Sequence, residues 1–207
     1  MRGWTRPRDG TCGTRSMAAV DPWRRALPTP RLLLRPMDGD DADAFCALYG
    51  DTEVMRRVGP PLDDAAARVA FTRMQAQAVA RPPRAHYWMI LPHGTQDPVG
   101  LIALVHDRGA PEGAECGILL QGPAQACGYA TEAIATVALA AFADYGVTRL
   151  WTRHAAANTA VVALMRRLDF IRDTDAPVDE VRWHVRHDDP AVAGWRAAGF
   201  ANPPAGR

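Results

Sequence analysis

Between Ala114 and Tyr145 a short apolar strand pattern passes through a turn of small residues into a long apolar-striped helix, and this passage constrains the chain more than any other. The strand stops at Gln121-Gly122-Pro123. The turn proper is Gln125-Ala126-Cys127-Gly128-Tyr129-Ala130-Thr131-Glu132-Ala133, and a helix from about Gly128 to Tyr145 sets Ile134, Val137, Leu139 and Phe142 toward a sheet. The first N–H groups of a helix have no intrahelical partner and lie at the positive end of its dipole. A turn of small residues in front of them therefore makes an anion site, with phosphate the expected guest. The same spacing also describes an ordinary strand-to-helix turn. A nucleotide-binding P-loop fits poorly, because Gly128 is not followed by the Lys-Ser or Lys-Thr that grips a terminal phosphate and Mg²⁺.

Two further stretches stand at a distance from this turn. Asn158 opens Asn158-Thr159-Ala160-Val161-Val162-Ala163-Leu164-Met165-Arg166-Arg167-Leu168-Asp169-Phe170, and near the start lies Thr29-Pro30-Arg31-Leu32-Leu33-Leu34-Arg35-Pro36. In this order the three resemble landmarks of the GCN5-related N-acetyltransferases, the GNAT superfamily. Those landmarks are a Gln/Arg-x-x-Gly-x-Gly/Ala signature, an asparagine followed by a helix closing in Leu-Gly-Phe, and an opening Arg-Leu-x-Leu-Arg strand. Gly-Tyr-Ala-Thr-Glu-Ala is similar to the RimJ/RimL-like branch, which acetylates protein N-terminal amines and small amines. The likeness runs from about Thr29 to His187. It implies a mixed α/β fold, in which a sheet splays between its fourth and fifth strands and carries helices on both faces. It also implies acetyl-CoA as co-substrate, with no metal.

For individual residues the resemblance implies that the backbone of Gln125, Ala126, Cys127, Gly128, Tyr129, Ala130 and Thr131 cradles the CoA phosphates. Leu119 and Leu120 are expected to offer backbone groups to the pantetheine arm and the thioester carbonyl. Asn158 either hydrogen-bonds near the pantetheine or caps its helix, and both roles are compatible. Glu115 is the candidate general base, taking the proton of the substrate ammonium through a water; its other reading is an exposed glutamate at a strand end. Strand alternation puts Glu115, Gly117 and Leu119 on one face. His86, His106, His154 and His184 are lesser candidates. Three departures from the family pattern stand out. Cys127 occupies a place where relatives carry Lys or Arg, Val161 stands where a serine is common, and Asp169 replaces a glycine at a left-handed helix end that aspartate tolerates. The implied activity is direct transfer of acetyl to a primary amine, on a protein N-terminus or a small molecule, in a ternary complex. A non-catalytic acyl-CoA sensor is the alternative, kept open by the missing hydroxyl and the missing loop cation.

The 207 residues read as one domain over 29–187, with a flexible extension over 1–28, in which Met17 is an alternative start, and a short helix and tail over 188–207. Helix patterns follow Asp38–Asp41 and Asp63 or Asp64, and strand patterns cover 31–35, 86–91, 98–105, 114–120, 148–154, a stretch from Phe170, and 181–186. The two early helices are expected to wall the acceptor pocket. With 24 basic and 23 acidic residues the net charge of +1 points to neither nucleic acid nor an anionic membrane. All the basic residues are arginine, read as the bias of a GC-rich bacterial gene. Cys12, Cys46, Cys116 and Cys127 form no Cys-x-x-Cys pair, so neither a zinc site nor a disulfide framework is expected, and a reducing cytoplasm is the expected home. The apolar run Ile134 to Ala143 is too short to span a bilayer, and residues 1–28 lack an apolar signal core. A soluble monomer or homodimer is expected.

Overall fold

The computed structural model describes residues 24–176 and 180–200; the alternative start at Met17 lies outside them. Local chemistry sets the helix ends. The Asp38 side chain accepts the Asp40 N–H while Asp41 reaches back to Asp38 N–H, a capping box on one 3₁₀ turn that leads into α1 (Ala42–Gly50). Asp51 caps the four-residue α2 (Thr52–Met55), and Asp63 caps α3 (Asp64–Val79) by accepting Ala66 N–H at 2.7 Å. The remaining helices are α4 (Tyr129–Asp144), α5 (Thr159–Arg167) and α6 (Pro190–Ala197). Asp169 adopts φ +53° at the turn after α5, the left-handed conformation expected at the altered Leu-Gly-Phe.

The strands are β1 (Leu27–Pro28), β2 (Leu32–Pro36), β3 (Ala85–Pro92), β4 (Gly100–His106), β5 (Gly113–Leu120), β6 (Arg149–Ala155), β7 (Ile171–Arg172) and β8 (Glu180–Arg186), in one sheet of order β1-β2-β3-β4-β5-β6-β8-β7. Leu27, fully buried, brings the sheet back into the stretch expected to be a flexible extension. Every neighbouring pair is antiparallel except β5 and β6, which the α4 crossover makes parallel. These two are the expected fourth and fifth strands. They pair only at Gly113↔Arg149, Ala114↔Leu150 and Glu115↔Trp151 and then part into the expected V.

Period-two alternation divides the core between the faces. On one, Trp88, Ile90, Ile102, Leu104 and Leu150 pack with α4, with Met165 of α5 and with Val192 and Trp195 of α6. On the other, Met89, Leu101 and Leu119 meet Phe45, Leu48, Val54 and Phe71 from α1 to α3. Helix α4 is buried continuously from Glu132 to Ala141, and its alanines let backbone approach backbone on several sides. A helix so enclosed holds its N-terminus rigidly at the mouth of the V.

Candidate active site

Backbone hydrogen bonds on β5 alternate between its two neighbours. Asp107 N–H donates to Gly113 O and Gln121 N–H to Val99 O, so odd-numbered residues turn their peptide groups to β4, whereas Thr148 N–H donates to Glu112 O on the β6 side. Past Glu115, β6 has moved away, and the peptide groups of Cys116, Ile118 and Leu120 face the gap. Leu119 turns its backbone to β4, which sets it against the expected pantetheine contact through its peptide group; Ile118, one residue earlier, turns its own to the gap. The same alternation that sorts side chains identifies it. The Leu120 carbonyl also faces the gap and already accepts Gln125 Nε2 at 2.9 Å, leaving its N–H.

The gap is a cleft of about 610 Å³. Glu115, Gly117, Ile118 and Leu119 line one wall, Thr152, Arg153, His154 and Asn158 another, and Ile134 of α4 also borders it. Tyr49 of α1, one of the two early helices expected at the acceptor pocket, also lines it, as do Arg57 and Val58 just after α2, which no sequence period connects to the cleft. Asn158, 8% exposed, accepts Val161 N–H at 3.4 Å, so it caps α5 while bordering the cleft. Glu115 Oε1 accepts Arg153 Nε–H at 3.0 Å, and Arg153 Nη1 lies 3.6 Å from Glu180 Oε2. A guanidinium thus bridges two carboxylates at the cleft wall, with the Arg153 and Arg182 side chains both against the Trp151 ring.

The histidines fit a proton-transfer role poorly. His154 borders the cleft, yet its Nδ1 is 2.8 Å from the Ala155 carbonyl, which can only accept, so Nδ1 carries the proton. Its Nε2 then accepts the Trp183 indole N–H at 3.0 Å, leaving no open lone pair. His86 and His106 face each other Nε2 to Nε2 at 3.1 Å and are absent from the cleft lining, as is His184. Burial pushes His106 down, and burial together with Arg149 does the same to His184. Cys116 is buried, and burial with the neighbouring Glu115 charge pushes its thiol up to about 12, so a thiolate is scarce at neutral pH.

At the open end of β5 the turn winds through two left-handed residues, Ala126 at φ +60° and Gly128 at φ +80°, before the first α4 bond from Glu132 N–H to Gly128 O. The N–H groups of Tyr129, Ala130 and Thr131 precede that bond and have no place in the helix ladder. Exposed Cys127 sits between the two left-handed residues, and its thiol reaches the Pro123 carbonyl at 3.6 Å. Behind the turn Glu132 is buried and receives the Thr29 hydroxyl, Arg31 N–H at 2.7 Å and Arg31 Nε–H at 2.7 Å. Burial acts to raise its pKa, but these hydrogen bonds and the guanidinium charge outweigh it and hold the carboxyl below its ordinary value. Among the described residues no cluster of His, Cys, Asp and Glu is arranged to hold a metal ion, and no helix is long and apolar enough to cross a membrane.

Residues 31–171 match the family model described as acetyltransferase (GNAT) domain. No curated protein matches the chain. Solved structures of similar shape include an acetyltransferase from Agrobacterium tumefaciens str. C58, at 25% identity and TM-score 0.68, covering 78% of this chain and 94% of that one. RimJ of Mycobacterium smegmatis in complex with CoA-disulfide matches at 18% identity and TM-score 0.70, over 87% of this chain and 98% of its own. A RimL ribosomal α-N-protein acetyltransferase in complex with coenzyme A matches at 14% and 0.67, over 78% and 98%.

Proposed function

The chain belongs to the GNAT acetyltransferase family, and from that premise we propose that it transfers an acetyl group from acetyl-CoA to a primary amine within a ternary complex. The observation that carries this reading is the parting of β5 and β6 after three paired positions, directly beside a left-handed turn at the N-terminus of α4. The phosphates lie on the N–H groups of Gln125 to Thr131, and the pantetheine runs along Ile118 and Leu120 as a substitute strand, close to Asn158. The amine enters past Tyr49, Arg57 and Val58 and attacks the thioester carbonyl. Before that attack Glu115 takes the proton of the substrate ammonium through a water; the C–S bond then breaks, and the proton lost from the new amide nitrogen passes through water to the CoA thiolate. Arg153 engages Oε1 of that carboxylate and holds its orientation. The acetyl group goes directly to the amine: Cys116 is a poor nucleophile and Cys127 lies at the phosphates.

The acceptor is a protein N-terminus or a small-molecule amine. RimL, a structural neighbour, is described as an α-N-protein acetyltransferase, which makes an N-terminal peptide the first acceptor to test. Purified protein is mixed with acetyl-CoA, a panel of peptides and small amines, and a thiol-reactive dye; the expected result is thiol release that depends on one class of amine. Tight binding of acetyl-CoA with no release on any amine would instead establish an acyl-CoA sensor, the reading that Val161 in place of a hydroxyl favours.

A further inference from the structure

The turn from Gln125 to Ala133 contains no cationic side chain, yet a guanidinium stands against it. Arg31 lies just ahead of β2. Its Nε donates to Glu132 Oε2 at 2.7 Å, its Nη1 donates to the Cys127 carbonyl at 2.9 Å, and its Cζ lies 5.2 Å from the centre of the Tyr129 ring. Its Nη2 is 3.2 Å from where a Cβ on Gly128 would stand. The side chain is 51% exposed, whereas that of Glu132 is 2% exposed. The carboxylate thus grips the inner edge of the guanidinium and leaves the outer edge at the front of the turn.

A purely structural ion pair would not require this placement. Glu132 Oε1 already has the Thr29 hydroxyl and the Arg31 backbone N–H, and one Arg31 N–H satisfies Oε2. Guanidinium carries five N–H donors in a rigid fork; among the described residues two are engaged, and both donors on Nη2 are uncommitted. In the same turn Thr131 Oγ1 is buried with no hydrogen-bond partner among the described residues. A ligand with several anionic acceptor oxygens, a phosphate, matches the exposed outer edge of the guanidinium. We infer that Arg31 is a side-chain phosphate ligand of this site, supplying from the sheet the positive charge that Cys127 cannot supply from the loop, with Glu132 as its positioning residue. The inference rests on the acetyl-CoA reading above.

The test compares wild type, Arg31→Gln and the double variant Arg31→Met/Glu132→Gln, which removes the pair without orphaning a buried carboxylate. Each is given acetyl-CoA, its 3′-dephospho analogue and S-acetylpantetheine, with thermal melting as the check on folding. Loss of a charge-assisted phosphate contact should weaken acetyl-CoA by about tenfold or more, while the apparent affinity for S-acetylpantetheine, which has no phosphate, stays within about twofold of wild type. An equal loss on the dephospho analogue assigns Arg31 to the pyrophosphate; a loss confined to acetyl-CoA assigns it to the 3′-phosphate. Either supports the inference. Wild-type affinity for acetyl-CoA in a folded variant would overturn it, as would equal losses on acetyl-CoA and S-acetylpantetheine. Failure of the wild-type protein to bind acetyl-CoA would remove the underlying reading instead, and is seen before any variant is made.

Discussion

Glu132 and Glu115 are both carboxylates near one strand-turn-helix passage, but their surroundings give them different work. Glu132 is buried under several donors, and its folded pKa lies below the ordinary value of 4.5. Its stabilising contribution is therefore complete above that ordinary value and is lost as pH falls through the lower folded one. Glu132→Gln should lower stability at neutral pH by about 1–3 kcal/mol, because buried donors lose a charged acceptor. It should also flatten the acid limb of a stability-versus-pH curve measured by denaturant unfolding; an unchanged limb would show that Glu132 does not titrate with folding. Glu115 borders the cleft, with one oxygen held by Arg153. Glu115→Gln should lower kcat/KM by about 10²-fold near neutral pH. The deficit should shrink as pH rises and the free amine becomes abundant without help. Wild-type rates at neutral pH would pass the proton to solvent or to Glu180, since the one histidine in the cleft lining has no lone pair to offer.

Among the elements, β5 carries opposite demands on its two sides, and two glycines show them. A Cβ on Gly100 of β4 would come within 2.2 Å of the Leu119 carbonyl and 2.7 Å of Leu120 Cδ2. Gly100→Ala should therefore force β4 and β5 apart, with a loss in the range of about 1–3 kcal/mol typical of overpacking and a marked fall in thermal midpoint. A Cβ on Gly117 would meet no atom within 4 Å, and this residue borders the cleft. Gly117→Leu should melt like wild type while raising the KM for acetyl-CoA or amine; a folded variant with unchanged KM would take Gly117 out of the ligand path. Local elements of this kind are legible in the sequence because their signals are local: Asp63 before α3, Asn158 before α5 and the aspartate at the left-handed turn each act within a few residues. The two-residue β1 and the four-residue α2 are too short to display a period. That the peptide group of Ile118, and not that of Leu119, faces the gap follows from applying strand alternation to peptide groups as well as to side chains.

At the scale of the whole molecule, the antiparallel strands from β1 to β5 and the group β6 to β8 are joined in the sheet by three paired positions, with α4 laid across the seam. A ligand that fills the gap adds contacts to both groups. At 100 times its Kd, acetyl-CoA should stabilise the fold by about 2.7 kcal/mol, a shift of about 5–10 °C for a domain of this size. Thermal melting with and without the ligand checks this, and an unmoved midpoint at saturating acetyl-CoA would exclude binding to the folded state. The order of strands and helices could be read from periodicity and punctuation, and the V from resemblance. What could not be read were meetings across long separations: Arg31 against Cys127, 96 positions away, and Arg57 at the cleft. Those follow from packing in three dimensions, for which a single sequence contains no marker.

Parting a sheet in its middle also creates two strand edges inside the molecule. Beyond Glu115 and Trp151 the peptide groups of β5 and β6 are left without each other, and a row of unpaired N–H and C=O groups is a template on which any extended chain can add. Outer edges can be shielded by charges, bulges or short length; these two cannot be altered in that way without spoiling the site. The wedge shape is itself the safeguard, admitting one slender extended guest and excluding the broad face of another sheet. The protein should accordingly resist self-association best when the cofactor is present, and prolonged incubation of the empty form should yield β-rich aggregates sooner than the liganded form.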